Sequence, residues 1–215
     1  MDAVAAWQQR AGKTAGKTLE IRDVRSFPGD PGYIAALAAS VRKHWQTHAR
    51  ALAEDRLLVM SFHGIPKRSV ERGDPYQREC EETARQLAAA LGLKDGQWRH
   101  TYQSRFGRAE WLQPYTQQTL EQLAAAGTAN VDVICPGFPA DCLETLEEIA
   151  LENKAAFLKA GGKAFHYIPG LNENPDWIEA LADLTLRHLG DWLPAGANTG
   201  RVNAYRSAEN IARVV

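Results

Sequence analysis

The chain has 215 residues, of which 45% are hydrophobic and 24% are charged, and its formal net charge is -1. This length suits one compact α/β unit with a trailing segment, and the near-neutral charge gives no reason to expect nucleic acid as a partner. No apolar run reaches the roughly 18 to 20 residues of a spanning helix, and the first residues lack the layout of a signal peptide, so we expect a cytoplasmic protein.

The first part of the chain contains a false phosphate-loop signal. Residues 1–18 include GKTAGKT, whose spacing is one residue short of a phosphate-binding loop. The run at residues 19–24 is typical of a strand, where that motif needs a helix, so we reject a phosphate site. Further along, Asp30 and Pro31 form a helix cap and a first-turn proline, and apolar residues then recur at helical spacing.

Strands and helices alternate through the rest of the chain. A buried strand is predicted at residues 57–60, and a polar loop then leads to a helix that ends near Gly92. The later predicted elements are a strand at 98–103, a helix at 116–125, a strand at 131–135, a long helix at 141–160, a strand at 165–168 and a helix at 175–189. The alternation predicts a three-layer α/β/α fold with a mostly parallel sheet of four to five strands.

The three cysteines argue against two kinds of site. Cys80, Cys135 and Cys142 are odd in number and widely spaced, which fits a reducing compartment better than a disulfide framework. A thiolate-bound iron–sulfur cluster normally takes four cysteines, so we do not expect one here.

Ligands of open parallel sheets bind beyond the carboxyl ends of the strands, and the segment after the first buried strand contains a histidine. In SFHGIP, His63 comes directly before a Gly and close to a Pro that set a tight turn. A neutral imidazole at this point suits a metal ligand or a proton acceptor. A loop histidine held by hydrogen bonds is the structural alternative.

The segment after the second strand offers groups for a flat, anionic ligand. Ser104, Arg105 and Trp111 supply a hydroxyl, a positive charge and an aromatic ring. The alternative is an arginine in a surface ion pair and a tryptophan in the core.

The segment after the third strand carries a series of carboxylates. Glu144, Glu148 and Glu152 are spaced four residues apart, which places them on one face of an α-helix. Apolar residues lie toward the other side of that helix, at positions 143, 146, 149 and 157. By helix geometry alone, the stripe points away from the core, as an ordinary solvated face would.

Three longer motifs carry a family resemblance. SFHGIP, YQSRFG with the following WLQP, and CPGFPADCLETLEEI occur in this order, each at a strand end, and together they resemble the ferrochelatase family. The resemblance runs from about residue 19 to 189 and includes YIPGLN. It implies insertion of ferrous iron into a porphyrin, protoporphyrin IX, in haem biosynthesis. Two protons are released and no organic cofactor is needed.

The resemblance also implies roles for individual residues. His63 and Glu144 would face each other across the porphyrin cleft as the catalytic pair and as metal contacts. Glu148 and Glu152 would extend a ladder of oxygen ligands that delivers hydrated iron.

Other positions complete this implied site. Ser104 and Trp111 would contact the porphyrin. Cys142 stands where some family members carry a second histidine, so a proton-relay role is not carried over to it; a soft metal ligand or simple packing are the alternatives.

The implied fold is one lobe of two. The family has two similar α/β lobes, and this sequence matches the carboxy-terminal one. We therefore expect residues 1–18 to be the end of the inter-lobe segment, residues 19–190 to form the lobe, and residues 191–215 to be a loosely structured tail. The expected partners are porphyrin, ferrous iron, the amino-terminal lobe and a membrane surface contacted peripherally. Without the other lobe, we expect weak porphyrin binding.

Two other functions stay open from the residues alone. One is a non-catalytic tetrapyrrole- or metal-binding module, and the other is a chelatase for another tetrapyrrole or metal. Oxygen and imidazole ligands do not by themselves select iron over cobalt, nickel or zinc. The motifs also do not choose between protoporphyrin and coproporphyrin.

Overall fold

The computed structural model describes residues 6, 7, 10, 20–48 and 57–193. The chain divides into two compact units: Phe27–Asp183, and Met1–Ser26 together with Leu184–Val215. Most of residues 1–18, and the predicted tail from residue 194 onward, lie outside the described residues. None of the helices in the described part of the chain is long and apolar enough to cross a membrane.

The larger unit is built on a four-stranded sheet in which all neighbouring strands are parallel, in the order β2-β1-β3-β4. In chain order the elements are α1 (Pro31–Thr47), β1 (Leu58–His63), α2 (Lys67–Glu71), α3 (Tyr76–Leu91), β2 (Trp98–Gln103), α4 (Thr116–Ala125), β3 (Asn130–Ile134), a π-helix (Glu144–Asn153) that continues as α5 (Lys154–Lys159), β4 (Ala164–Ile168), α6 (Pro175–Leu189) and a 3-10 turn (Gly190–Trp192).

Both faces of the sheet are buried, so the fold has three layers. Successive residues of β1 alternate between two cores: Leu58 and Met60 belong to one, and Val59 to the other. Helices α1 and α3 complete the first core, and α4, the π-helix and α5 complete the second. The predicted α/β/α architecture with a parallel sheet is confirmed.

Local signals determined where several helices begin and end. Asp30 caps α1, since its side chain accepts from the backbone N–H groups of Gly32 and Tyr33 at 3.0 and 3.1 Å. Gly92 ends α3 with φ at 70°, the left-handed conformation that glycine adopts without steric cost.

The strand predicted at residues 19–24 is wrong over its described part. Residues 20–24 have no regular secondary structure, and within the smaller unit Arg22 donates to the Leu189 carbonyl and to the Asp191 carboxylate. The indole of Trp192 donates to Glu20 at 3.0 Å. The side chains of this segment bond to residues 189–192. A strand would instead need backbone hydrogen bonds to a neighbouring strand.

Two helical details also differ from the prediction. Lys67–Glu71 forms a short helix inside the predicted polar loop. The long helix predicted from residue 141 begins at Glu144, and its first ten residues are π-helical. The side chain of Asn153 donates to the Glu148 carbonyl, five residues earlier, at 2.6 Å, which fits the wider turn of a π-helix.

Candidate active site

The carboxyl ends of the strands bring the three motif segments to one edge of the sheet. His63 and Gln103 are register partners at the ends of β1 and β2. The segment after β3 runs from Cys135 to the start of the π-helix at Glu144. All three predicted ligand-binding segments therefore begin at the same edge, as expected for an open parallel sheet.

His63 is half-buried and held in one tautomer. Its Nδ1 lies 2.6 Å from the carbonyl oxygen of Gly64; because a carbonyl only accepts, Nδ1 carries a hydrogen, and in the neutral imidazole Nε2 is the acceptor. The hydroxyl of Tyr76 donates to the His63 carbonyl at 2.9 Å. The imidazole ring centre is 6.2 Å from those of both Trp111 and Phe138. The ring is thus placed among aromatic groups with one basic nitrogen available.

Gly64 permits a close approach of backbone and ring. Its N–H donates to the Gln103 carbonyl at 2.8 Å. A Cβ at this position would lie 2.9 Å from that same oxygen and 3.1 Å from the ring of Trp111. The half-buried Trp111 therefore covers the turn after His63, and a side chain here would displace it.

Glu144 is an ionised carboxylate whose pKa is lowered. A hydrogen bond from the Cys142 side chain is the largest cause that lowers the pKa of Glu144; its own backbone amide and electrostatic attraction to His63 lower it further, and desolvation opposes this. Cys142 therefore lowers the pKa of Glu144, an effect that the sequence did not indicate. His63 is therefore close enough to affect the charge of Glu144.

Glu148 faces the strand ends and not the solvent. It is half-buried and accepts from the backbone N–H of Ser104 at 2.7 Å and from its hydroxyl at 2.6 Å. The inference from helix geometry that the stripe points away from the core is thus wrong for Glu148, while Glu144 is partly exposed and Glu152 is exposed. The π-helical winding differs from the α-helical one on which that expectation depended.

The comparison with known proteins agrees with these motifs. The family model described as Ferrochelatase matches residues 1–189. The chain belongs to the ferrochelatase family. A curated ferrochelatase from Aromatoleum aromaticum is 64% identical over 176 residues, which is 82% of this chain and 47% of that protein. A ferrochelatase from Azoarcus sp. is 62% identical over 82% of this chain and 47% of that protein. A ferrochelatase from Polaromonas sp. is 53% identical over 89% of this chain and 50% of that protein. The chain spans about half the length of the curated relatives it matches.

Most of the site residues that the ferrochelatase resemblance implies lie at the strand-end edge. His63, Ser104, Trp111 and Glu144 belong to the segments that meet there, and Glu148 is tied to them through Ser104. Glu152, about one turn beyond Glu148, is exposed.

Gln103 of this ferrochelatase-family chain, which the sequence motifs did not single out, links the sheet to the π-helix. Gln103 is 4% exposed. Its Nε2 donates to the Glu144 carbonyl at 2.9 Å, and its Oε1 accepts from Ser61 Oγ at 2.8 Å and from Cys135 Sγ at 3.4 Å. The signal was present, since an amide next to the strand end of a buried sheet needs polar partners.

Asp141 is a second missed residue, and it fixes the entry into the π-helix. Its carboxylate accepts from the Tyr167 hydroxyl at 2.5 Å, from Asn172 Nδ2 at 2.9 Å, from the Gly170 N–H at 3.0 Å and from the Thr145 hydroxyl at 3.1 Å. Burial alone would raise the pKa of Asp141, but these hydrogen bonds outweigh it and the pKa is lowered. The YIPGLN segment thereby holds the loop that precedes Glu144.

Proposed function

We propose that this chain carries the metal-inserting centre of a ferrochelatase, with ferrous iron and a porphyrin, protoporphyrin IX, as substrates and two protons released. The observation that carries the proposal is the pair formed by His63 and Glu144. The imidazole of His63, with Nδ1 directed at the Gly64 carbonyl, and the ionised carboxylate of Glu144 lie at the same sheet edge, and the charge of a protonated His63 lowers the pKa of Glu144.

This pair has the properties that the reaction requires. Two pyrrole N–H protons must leave before a divalent ion can occupy the macrocycle, so bases are needed close to the ring. In the neutral imidazole of His63, Nε2 can accept a pyrrole proton, and the negative charge of Glu144 stabilises the imidazolium that results. The lowered pKa of Glu144 keeps it charged at neutral pH.

The carboxylates beyond Glu144 give iron a route to the centre. Glu152 is exposed and Glu148 is half-buried, so oxygen ligands extend from solvent toward the His63 side of the edge. Hard oxygen ligands suit a hydrated divalent ion that must be released again. Although Glu148 accepts from Ser104, a carboxylate has about four lone-pair positions and retains capacity for a metal.

Apolar surface beside the pair suits a flat macrocycle. Trp111 and Phe138 flank the imidazole, and large apolar side chains near the edge are exposed: Phe106 at 82% and Leu143 at 69%. Exposed apolar side chains that adjoin a polar centre favour a ligand or a partner surface. Ser104 lies beside them, with its hydroxyl bonded to Glu148.

The proposal includes a second lobe and a cytoplasmic location. The relatives are about twice as long as the segment matched here, which supports a porphyrin pocket completed by further chain. The three cysteines are free, which supports a reducing compartment.

The test is metal insertion measured on a full-length enzyme. In a chimera, this chain replaces the matched segment of the Aromatoleum aromaticum relative, and metalloporphyrin formation from ferrous iron or zinc is followed anaerobically by visible absorption. We expect His63→Ala and Glu144→Gln each to lower the rate by about 100-fold or more, and His188→Ala to leave it unchanged. Unchanged rates in both site variants, or porphyrin binding without turnover in the parent chimera, would contradict the proposal.

A further inference from the structure

A second group of potential metal ligands lies away from the strand-end site. His44, Asp132 and His166 each offer one ligand atom, and these atoms all lie within 4.8 Å of one another. Among the described residues, this is the one group of three or more His, Cys, Asp or Glu side chains that meets this geometry.

The fold brings these three residues together from three elements. Asp132 and His166 are register partners on β3 and β4. Their chain neighbours Val131, Val133 and Phe165 point into the core on the opposite face, so Asp132 and His166 lie on the α1 side of the sheet. His44 lies in the last turn of α1 and completes the group.

The group is well separated from the strand-end edge. In the first turn of α1, the Tyr33 hydroxyl donates to the carbonyl of Pro136, just beyond the end of β3. His44 follows eleven residues later, about 16 Å further along the helix at a rise of about 1.5 Å per residue. The helix therefore runs from the His63 side of the sheet toward the starts of the strands.

The carboxylate of the group is oriented in the way that metal ligands usually are. Asp132 is completely buried, and its Oδ2 accepts from the indole Nε1 of Trp45 at 2.8 Å. Such neighbouring hydrogen bonds hold a ligating carboxylate in place. A buried carboxylate is stabilised by an adjacent positive charge, which either a metal ion or a protonated histidine can supply.

A further histidine lies beside the group. His44 and His166 are half-buried, and His48 is exposed. The ring centre of His48 is 4.1 Å from that of His44 and 5.8 Å from that of His166. Its Nδ1 is 2.9 Å from the His44 carbonyl, and since that oxygen only accepts, Nδ1 carries a hydrogen. In the neutral ring, Nε2 of His48 can then serve as a fourth metal ligand.

We infer that His44, Asp132 and His166 form a second divalent-metal site, independent of the proposed metal-inserting centre. Two imidazoles and one carboxylate are a ligand set for zinc, cobalt or ferrous iron, and three protein ligands leave a position for His48 or water. Binding requires neutral imidazoles, so the ion displaces any proton they carry into solvent. A rotamer adjustment brings the ligand atoms to the bonding distance of about 2.0 to 2.2 Å.

The experiment measures metal binding to this chain in a background where the strand-end centre is disabled. The parent is the full chain with His63→Ala and Glu144→Gln, freed of metal by a chelator. Zinc binding is measured by calorimetry, and cobalt binding by its visible absorption. We expect one ion to bind per chain. His44→Ala or His166→Ala should lower the affinity at least about tenfold. Trp45→Phe removes the hydrogen bond to the Asp132 carboxylate and should lower the affinity about 10- to 100-fold.

Matched controls separate ligand loss from misfolding. His188→Ala removes a histidine from another part of the chain and should leave the affinity unchanged. Circular dichroism of the metal-free variants confirms folding, and His44→Gln or His166→Gln replaces any alanine variant that does not fold. Affinity unchanged in both histidine variants, or no zinc bound by the parent, would overturn the inference.

Discussion

Glu148 holds Ser104 from two sides, with one carboxylate oxygen 2.7 Å from the backbone N–H of Ser104 and the other 2.6 Å from its hydroxyl. Ser104 has φ at 64°, in the left-handed region that non-glycine residues rarely adopt. The contact therefore stabilises a strained turn at the end of β2 and ties it to the π-helix. A residue expected only as an iron ligand also positions the backbone of the site.

Replacing Ser104 separates the strain from the hydrogen bond. Ser104→Ala loses the hydroxyl bond and keeps the left-handed backbone, whereas Ser104→Gly loses the same bond and relieves the strain. We expect the alanine variant to have the lower free energy of unfolding, by about 1 kcal/mol, in urea denaturation of the two variants side by side. An alanine variant at least as stable as the glycine variant would show that the turn is unstrained.

Gly64 is the position where a single added methyl group should disturb the site. A Cβ there meets the Gln103 carbonyl at 2.9 Å and the Trp111 ring at 3.1 Å, so Gly64→Ala must move one of them. We expect a loss of about 1 to 3 kcal/mol in the free energy of unfolding and a lower rate of metal insertion in the chimera.

The control for this prediction is Gly96→Ala. Gly96 has open space around its Cβ position and a φ of 90°, so alanine there tests backbone strain without a clash. Tryptophan fluorescence should change in Gly64→Ala, because Trp111 is displaced, and should stay the same in Gly96→Ala. Equal fluorescence in both variants would contradict the steric argument.

Cys142 should affect how the reaction depends on pH. The hydrogen bond from Cys142 is the largest cause of the lowered pKa of Glu144, so Cys142→Ala should raise that pKa toward the ordinary glutamate value. A higher pKa means that the carboxylate takes up a proton at higher pH, and the acid limb of the rate profile should move upward in pH. The measurement is the rate of zinc insertion by the chimera as a function of pH.

Cys142→Ser is the matched variant for this profile. A hydroxyl can donate to Glu144 in the place of the thiol, so the acid limb should stay close to that of the parent. If Cys142→Ala and the parent share one profile, the thiol does not control the charge of Glu144.

Asp141 should contribute to stability at neutral pH and lose that contribution in acid. Three donors bond to Oδ1 and the Asn172 amide bonds to Oδ2. Asp141→Asn replaces one oxygen by an NH2 group that cannot accept, so we expect the free energy of unfolding at pH 7 to fall by about 1 to 3 kcal/mol. Because the folded-state pKa of Asp141 is lowered, its contribution is present above the unfolded pKa and is lost as pH falls through the folded value. The difference between variant and parent should therefore shrink on acidification.

Denaturant titrations from neutral pH down to the acid limit of the folded state measure this difference. Asp95→Asn, at an exposed turn position, is the control and should cost nothing measurable at any pH. A penalty for Asp141→Asn that stays constant with pH would show that the carboxylate charge is not what the donors require.

Local patterns predicted most of the fold. Helices α4 and α6 and strand β2 have the predicted bounds, because apolar periodicity and terminal residues act within a few positions along the chain. The edge on which His63, Ser104 and Glu144 meet also followed from the sequence, since parallel strands that alternate with helices end on the same side. The strand predicted at residues 19–24 failed because two partners of Arg22, Leu189 and Asp191, lie more than 160 residues away.

The sequence by itself determined the order of the elements, the parallel sheet and the segments that meet at its carboxyl edge. Only the tertiary structure decided that Glu148 faces Ser104, that Gln103 bonds to the start of the π-helix, and that His44 meets β3 and β4. The physical reason is that these contacts depend on helix winding and on the register between elements distant in sequence. Periodicity within one element contains no information about either.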